Sequence, residues 1–216
     1  VGLATKGLEP GDYTLRIFLR RHDDRQLLGS DRYRLTVLAE GDLQKRPAYI
    51  DEHNRLIVNG QPFLPLGMYF SGLNEAELKQ YADSAFNCVM PYGGATPDKM
   101  DLLQSLGLKI IYTLKDAYYG TTWCPKAIQS QEDERPFMAA KAEQFRNHPA
   151  LLAWYLNDEL SLDWMPRLEA HQEWMEKLDP DHPTWIVLYQ VGQLELYRKT
   201  FDVLGTDPYP IPYAPV

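Results

Sequence analysis

Several things are scarce in this sequence, and each scarcity closes off a class of function. Two cysteines in 216 residues, Cys88 and Cys124, are too few for a disulfide framework and too far apart for a CxxC motif; a bridge and free thiols both stay open. The histidines, His22, His53, His148, His171 and His182, form neither H-x-H nor H-E-x-x-H, which argues against a zinc hydrolase. No G-x-S-x-G elbow points to a serine hydrolase, and the loop "YFSGLNE" after the first buried-type strand lacks the G-x-G-x-x-G of a dinucleotide site. No run approaches the ~18 apolar residues of a membrane span, so no membrane partner is expected. Basic residues are outnumbered, 22 Lys and Arg against 30 Asp and Glu for a net charge of −8. That balance disfavours a nucleic-acid surface and suits a neutral or cationic ligand. The N-terminus has no basic-then-apolar leader, but Val1 is not an initiator Met, which fits a leader already removed. A secreted or periplasmic location is expected, with the cytoplasm as the alternative.

What is present is apolar material, 44% hydrophobic with 12% aromatic residues, enough for a substantial core. Residues 12–20 and 32–38 alternate apolar and polar, as half-buried antiparallel strands do. Two strands cannot bury an apolar face alone, so they are read as the last strands of a β-sandwich. A polar connector covers 40–50, and Asn59-Gly60 between short apolar runs predicts a tight hairpin. Beyond it, buried-type strands at 63–70, 87–92, 109–115, 151–157, 184–189 and 202–207 alternate with helices. Asn74 caps the first, Thr96-Pro97 opens the second, and Gly107 stops it. A third covers 132–146, a fourth is expected to be capped by Ser161, and a fifth spans 191–200. Such alternation implies a parallel sheet. The expected fold class is α/β, a partial (β/α)8 TIM barrel of about six units after terminal strands of a β-sandwich. Residues 1–46 fall to the sandwich and 47–216 to the barrel, which is expected to be truncated after strand six because a whole barrel needs ~250 residues.

Barrel chemistry gathers at the C-terminal strand tips. Here these carry Tyr69, Tyr92, Lys115-Asp116, Asn157-Asp158-Glu159, Tyr189-Gln190 and Asp207-Pro208-Tyr209. Carboxylates and amides bind hydroxyls, and aromatic rings stack on sugar faces, so the expected partner is an oligo- or polysaccharide. Regular alternation would turn Tyr155, Asn157 and Glu159 to one side and Trp154, Leu156 and Asp158 to the other. That makes Glu159 the candidate general acid, its pKa raised by a partly dry pocket. Tyr69, Tyr92 and Tyr189 either contact sugar or fill the barrel, and Asp207 either binds ligand or shapes a turn. Trp123, in the long segment 116–131, is a stacking platform or packs that loop down. No cofactor or metal is required, and the pattern is neutral as to oligomeric state.

The run "FRNHPALLAWYLNDE" resembles the fourth-strand signature of clan A glycoside hydrolases, notably the family 2 type, in which the strand ends in the acid/base Glu. "NRLIVNGQPFLPLGMYF" is similar to the passage by which those enzymes enter the barrel, and "LDPDHPTW" and "GTDPYP" resemble their links at strands five and six. The resemblance covers most of 50–210 and implies a retaining glycosidase with Glu159 as acid/base. The family's usual Asn directly before that Glu is here Asp158, with Asn157 one position earlier, so either is a candidate for the sugar's 2-hydroxyl. The family nucleophile belongs to a seventh strand, beyond these residues; Asp207 and Asp116 are stand-ins, though neither matches the family position. A noncatalytic carbohydrate-binding or scaffold barrel is the alternative.

Overall fold

The computed structural model describes residues 7–209, and the chain divides into two compact units, Val1–Arg46 and Pro47–Val216. The first holds β1 (Gly11–Arg20) and β2 (Leu27–Val37) as an antiparallel ribbon. Tyr13 pairs with Leu35 and Leu15 with Tyr33; these four and Val37 are half-buried as the alternation anticipates, whereas Ile17 and Leu19, expected to be half-buried too, are exposed. No residue of either strand is buried, because a two-stranded ribbon has no second layer of its own.

The second unit opens with a small antiparallel sheet, β3 (Ala48–Ile50), β4 (Leu56–Val58) and β5 (Gln61–Pro62). Part of the stretch expected to be a polar connector is therefore strand: Ala48 is buried and pairs with Val58. Asn59 (φ 50°) and Gly60 (φ 76°) form the turn between β4 and β5, the double left-handed geometry that the Asn-Gly pair tolerates.

Six parallel strands follow: β6 (Gly67–Phe70), β7 (Cys88–Pro91), β8 (Lys109–Thr113), β9 (Leu151–Asp158), β10 (Thr184–Leu188) and β11 (Val203–Thr206). They lie side by side in sequence order, with no reversal, in a sheet that curls into a half-barrel. A doubly wound sheet would reverse its order at a switch point. Gly67 is required where β6 meets β7, since a Cβ there would lie 2.5 Å from the Cys88 carbonyl oxygen.

The helices are α1 (Glu75–Ala82), α2 (Pro97–Ser105), α3 (Glu134–Phe145) and α4 (Met165–Leu178). Asn74 caps α1 by accepting from the Ala76 and Glu77 amides, and Gly107 stands at φ 70° just past α2. Leu78, Met100, Leu103, Met138, Phe145 and Met175 pack with Trp154 and Ile186 in the main core. A smaller cluster, Cys88, Ile111, Ala153, Tyr155 and Val187, gathers with Ala48 and Val58. Among the described residues no helix is long and apolar enough to cross a membrane.

Three local expectations are corrected. Ser161 makes no cap; a short 3-10 turn, Leu162–Trp164, precedes α4. The expected α-helix at 191–200 is a 3-10 helix, Val191–Tyr197. Its apolar residues Val191, Leu194 and Tyr197 recur every third position, the period at which 3-10 side chains eclipse. β9 is also irregular. Its register slips against β8 between Leu151 and Ala153, and against β10 between Tyr155 and Asn157. Each slip inserts an unpaired residue, which breaks the alternation of sides expected at the strand's end.

Candidate active site

All six parallel strands point the same way, so their C-terminal tips share one rim. The slip before Asn157 decides what β9 presents there. Tyr155 and Asp158, expected on opposite sides, are hydrogen-bonded, the Tyr155 hydroxyl donating to Asp158 Oδ1 at 2.7 Å. The Tyr69 hydroxyl lies 3.0 Å from that of Tyr155, and the Tyr69 and Tyr92 rings stack with centroids 4.9 Å apart. Burial holds the Tyr69 and Tyr155 phenols well above the ordinary tyrosine pKa, so both stay neutral donors.

Lys115 joins this chain from β8. Its side chain is only 8% exposed, and Nζ lies 3.1 Å from Asp116 Oδ1 and 3.2 Å from Asp158 Oδ2. Burial works against the ammonium, but the two carboxylates outweigh it and raise the lysine's pKa. Nζ also sits 5.7 Å from the centre of the Tyr92 ring. Both Asp158 oxygens are thus engaged by protein donors.

Asn157, 1% exposed, is held by the backbone: its Oδ1 accepts the Leu160 amide at 3.0 Å, closing the tip of the strand. Glu159 keeps the ladder going by donating its amide to the Val187 carbonyl at 2.9 Å, and Gln190 Nε2 donates to the Glu159 carbonyl at 3.1 Å. Between these anchors its backbone takes φ 62°, a left-handed conformation that a non-glycine residue adopts only when its surroundings impose it.

The Glu159 side chain faces Asp207, beyond β11. Glu159 Oε1 and Asp207 Oδ1 are both buried without an N–H or O–H donor opposite, so a proton carried by one of them is what can bond the two. Burial, that contact with Asp207 and the charge of Asp158 push Glu159 up to about 7, while the Tyr209 hydroxyl works against them. Tyr209 donates to Asp207 Oδ2 at 3.2 Å. The rim thus places one protonated carboxyl near neutrality beside ionisable neighbours, the arrangement needed to donate a proton to a bound group.

The tip residues chosen from the sequence fall into groups. Tyr69, Tyr92, Asp116 and Asp158 meet through Tyr155 and Lys115, while Glu159 meets Asp207 and Tyr209. Tyr189 stands at the rim, 48% exposed, and Trp123 is 77% exposed on the loop after β8. What the sequence did not disclose is the bridging of two carboxylates by Lys115 and the hold of Gln190 on Glu159. It was also silent on a buried cluster under that loop. Glu134, 0% exposed, accepts from the Tyr119 amide at 2.7 Å, from His171 Nε2 at 2.9 Å, and from Arg167 Nη2. Burial, aided by Arg167, pushes His171 down to about 3, so its ring is neutral where it stacks on Tyr118 at 3.9 Å.

The fold is similar to that of solved glycoside hydrolases. Among solved structures, a family 2 glycosyl hydrolase from Bacteroides cellulosilyticus matches over 91% of this chain and 27% of its own, with TM-score 0.60 and 15% identity. A β-glucuronidase from Parabacteroides merdae matches over 92% and 26%, with TM-score 0.57 and 16% identity. One from Lactobacillus rhamnosus matches over 92% and 36%, with TM-score 0.58 and 18% identity. The chain therefore spans only about a quarter to a third of the length of these structures. No protein-family model matches the sequence, and no curated protein matches it.

Proposed function

We propose that this chain belongs to a retaining glycoside hydrolase, with Glu159 as its general acid/base. In this reading residues 1–46 are part of an accessory β-sandwich and 47–216 are the first six units of a (β/α)8 barrel, in a secreted or periplasmic enzyme. The observation that carries it is Glu159 at the tip of the fourth parallel strand, with Oε1 buried and its proton retained up to about pH 7. The fold's likeness to glycosidases supports the same reading.

The proposed reaction has two steps. Glu159 gives its proton to the glycosidic oxygen while a carboxylate attacks the anomeric carbon, so the leaving group departs as a neutral alcohol and a glycosyl ester forms. The Glu159 carboxylate then takes a proton from water as that water displaces the ester, which restores both carboxyl groups. Asp207 does not suit the nucleophile's place, because a retaining pair stands ~5 Å apart and Asp207 is in contact with Glu159. Asp116 is committed to Lys115. The second carboxylate is accordingly assigned to residues outside this stretch. Asp158, its oxygens engaged by Tyr155 and Lys115, becomes a fixed charge near Glu159, and Asn157 is left as the better candidate for a sugar hydroxyl.

The test is the pH dependence of kcat/KM for an unactivated glycoside, measured in the protein that carries the second carboxylate. Because the acid must be protonated in the free enzyme, kcat/KM should fall as pH rises through about 7. A profile flat across that region would remove Glu159 from the role.

A further inference from the structure

The aromatic and acidic residues after β8 open onto more than the rim around Glu159. Asp116 and Trp123 also line a separate groove of about 380 Å³, walled by residues 93–97 after β7, the end of β8, and the Phe137, Lys141 and Gln144 face of α3. That volume lies within the ~300–1,000 Å³ of small-molecule sites. Its lining mixes the two kinds of surface a pyranose needs. Trp123, 77% exposed, offers an indole at its edge. Asp116, Lys141 and Gln144 add a carboxylate, an ammonium and an amide that can bond ring hydroxyls.

Two glycines, Gly93 and Gly94, belong to its wall. A Cβ at Gly93 would meet nothing within 4 Å, and one at Gly94 would come 3.1 Å from the Tyr112 hydroxyl, which is bound to the Ala95 carbonyl. The groove also lies beside the rim. Asp116 lies on it and is bonded to Lys115, which is bonded in turn to Asp158, the residue before Glu159. A saccharide lying across the β8 tip would touch both places.

We propose that this groove is an additional sugar subsite, holding a further ring of an oligosaccharide whose scissile bond lies at Glu159. The inference rests on the glycosidase reading and adds to it a substrate class: chains of several rings, with Trp123 as the stacking platform. It makes Trp123 a residue that lengthens the site and leaves the proton donor untouched.

The experiment is an NMR titration of the 15N-labelled protein that carries the second carboxylate, with methyl β-glucoside and with β-1,4-linked glucose oligosaccharides of two to four units. The Gln190 side-chain amide reports on Glu159, and the Trp123 indole N–H reports on the groove. The glucoside should shift Gln190 alone; the longer sugars should shift both and bind about fivefold more tightly, the effect of one good aromatic contact. Trp123→Ala, at an exposed position, should abolish that gain and leave glucoside binding unchanged. If Gln190 responds and the Trp123 indole does not, or the gain survives Trp123→Ala, the subsite is refuted while the glycosidase reading stands. If neither signal moves with any of these sugars, the subsite is refuted, and the glycosidase reading is left to the pH profile of kcat/KM.

Discussion

Glu159→Gln is expected to cut turnover of unactivated glycosides by about 10³-fold, within the range for losing a general acid, while saccharide affinity changes by less than about twofold. Glutamine keeps the shape and one carbonyl oxygen but has no acidic proton to transfer. Substrates with good leaving groups need less protonation and should lose less, so the deficit should grow with leaving-group pKa. Equal losses for activated and unactivated glycosides would point to a positional defect and sink the assignment. The same substitution should alter stability in a pH-dependent way. Glu159 titrates near 7 in the fold, above its ordinary 4.5. The stability from its retained proton is therefore full below about 4.5 and is lost as pH rises through 7. At about pH 8 the folded protein holds an uncompensated carboxylate that Gln removes, so the variant should be more stable by about 1 kcal/mol, a figure reduced for solvent screening. At about pH 4.5 the gain should vanish. Urea unfolding at the two pH values reads this out, and a gain that is larger in acid would contradict it.

The second large effect is structural. Glu134→Ala should cost about 3–4 kcal/mol, the usual result of removing one partner from a buried charged pair. Three donors converge on that carboxylate, from the Tyr119 amide, Arg167 and His171. Arg167 further donates to the Tyr119 carbonyl at 3.0 Å and lies 4.6 Å from the Trp164 ring centre. Without Glu134 a guanidinium and a backbone N–H are left in a dry site. Glu134→Gln retains an acceptor for Arg167, and it should cost less than half as much. Denaturant unfolding gives the energies, and hydrogen exchange at the Tyr119 amide should accelerate in step with the Ala variant. A loss below about 1 kcal/mol would mean that the cluster relaxes to water.

How far the sequence discloses this molecule depends on whether a feature is local. Asn74, Gly107 and Asn59-Gly60 act on their own turn or the next one, and the chain folds there as their chemistry requires. Strict alternation of strand and helix makes the parallel sheet legible, whereas the unreversed strand order is settled by packing between strands and helices distant in sequence. The β9 slips escape notice, since one unpaired residue in a ladder is a matter between neighbouring strands and leaves no mark on a period-2 pattern. Without the slip before Asn157, Asp158 would not meet Tyr155. Lys115 is visible as a tip residue, but its second carboxylate is 43 positions away, on another strand. Glu134 and His171, 37 residues apart, each read as ordinary polar residues of a helix. The 3-10 helix at Val191–Tyr197 is legible in its three-residue spacing, although so short a stretch suits an α-helix almost as well.

The left-handed backbone at Glu159 bears on how this position drifts. A side chain other than glycine or asparagine is a local liability at φ 62°, so folding alone gives no reason to keep glutamate there. In a randomised library, survivors of protease challenge should turn toward glycine and asparagine at residue 159, whereas survivors chosen for sugar release should return to glutamate. Lineages that give up the chemistry would then be recognisable by a smaller residue at that one site, long before the surrounding strands diverge.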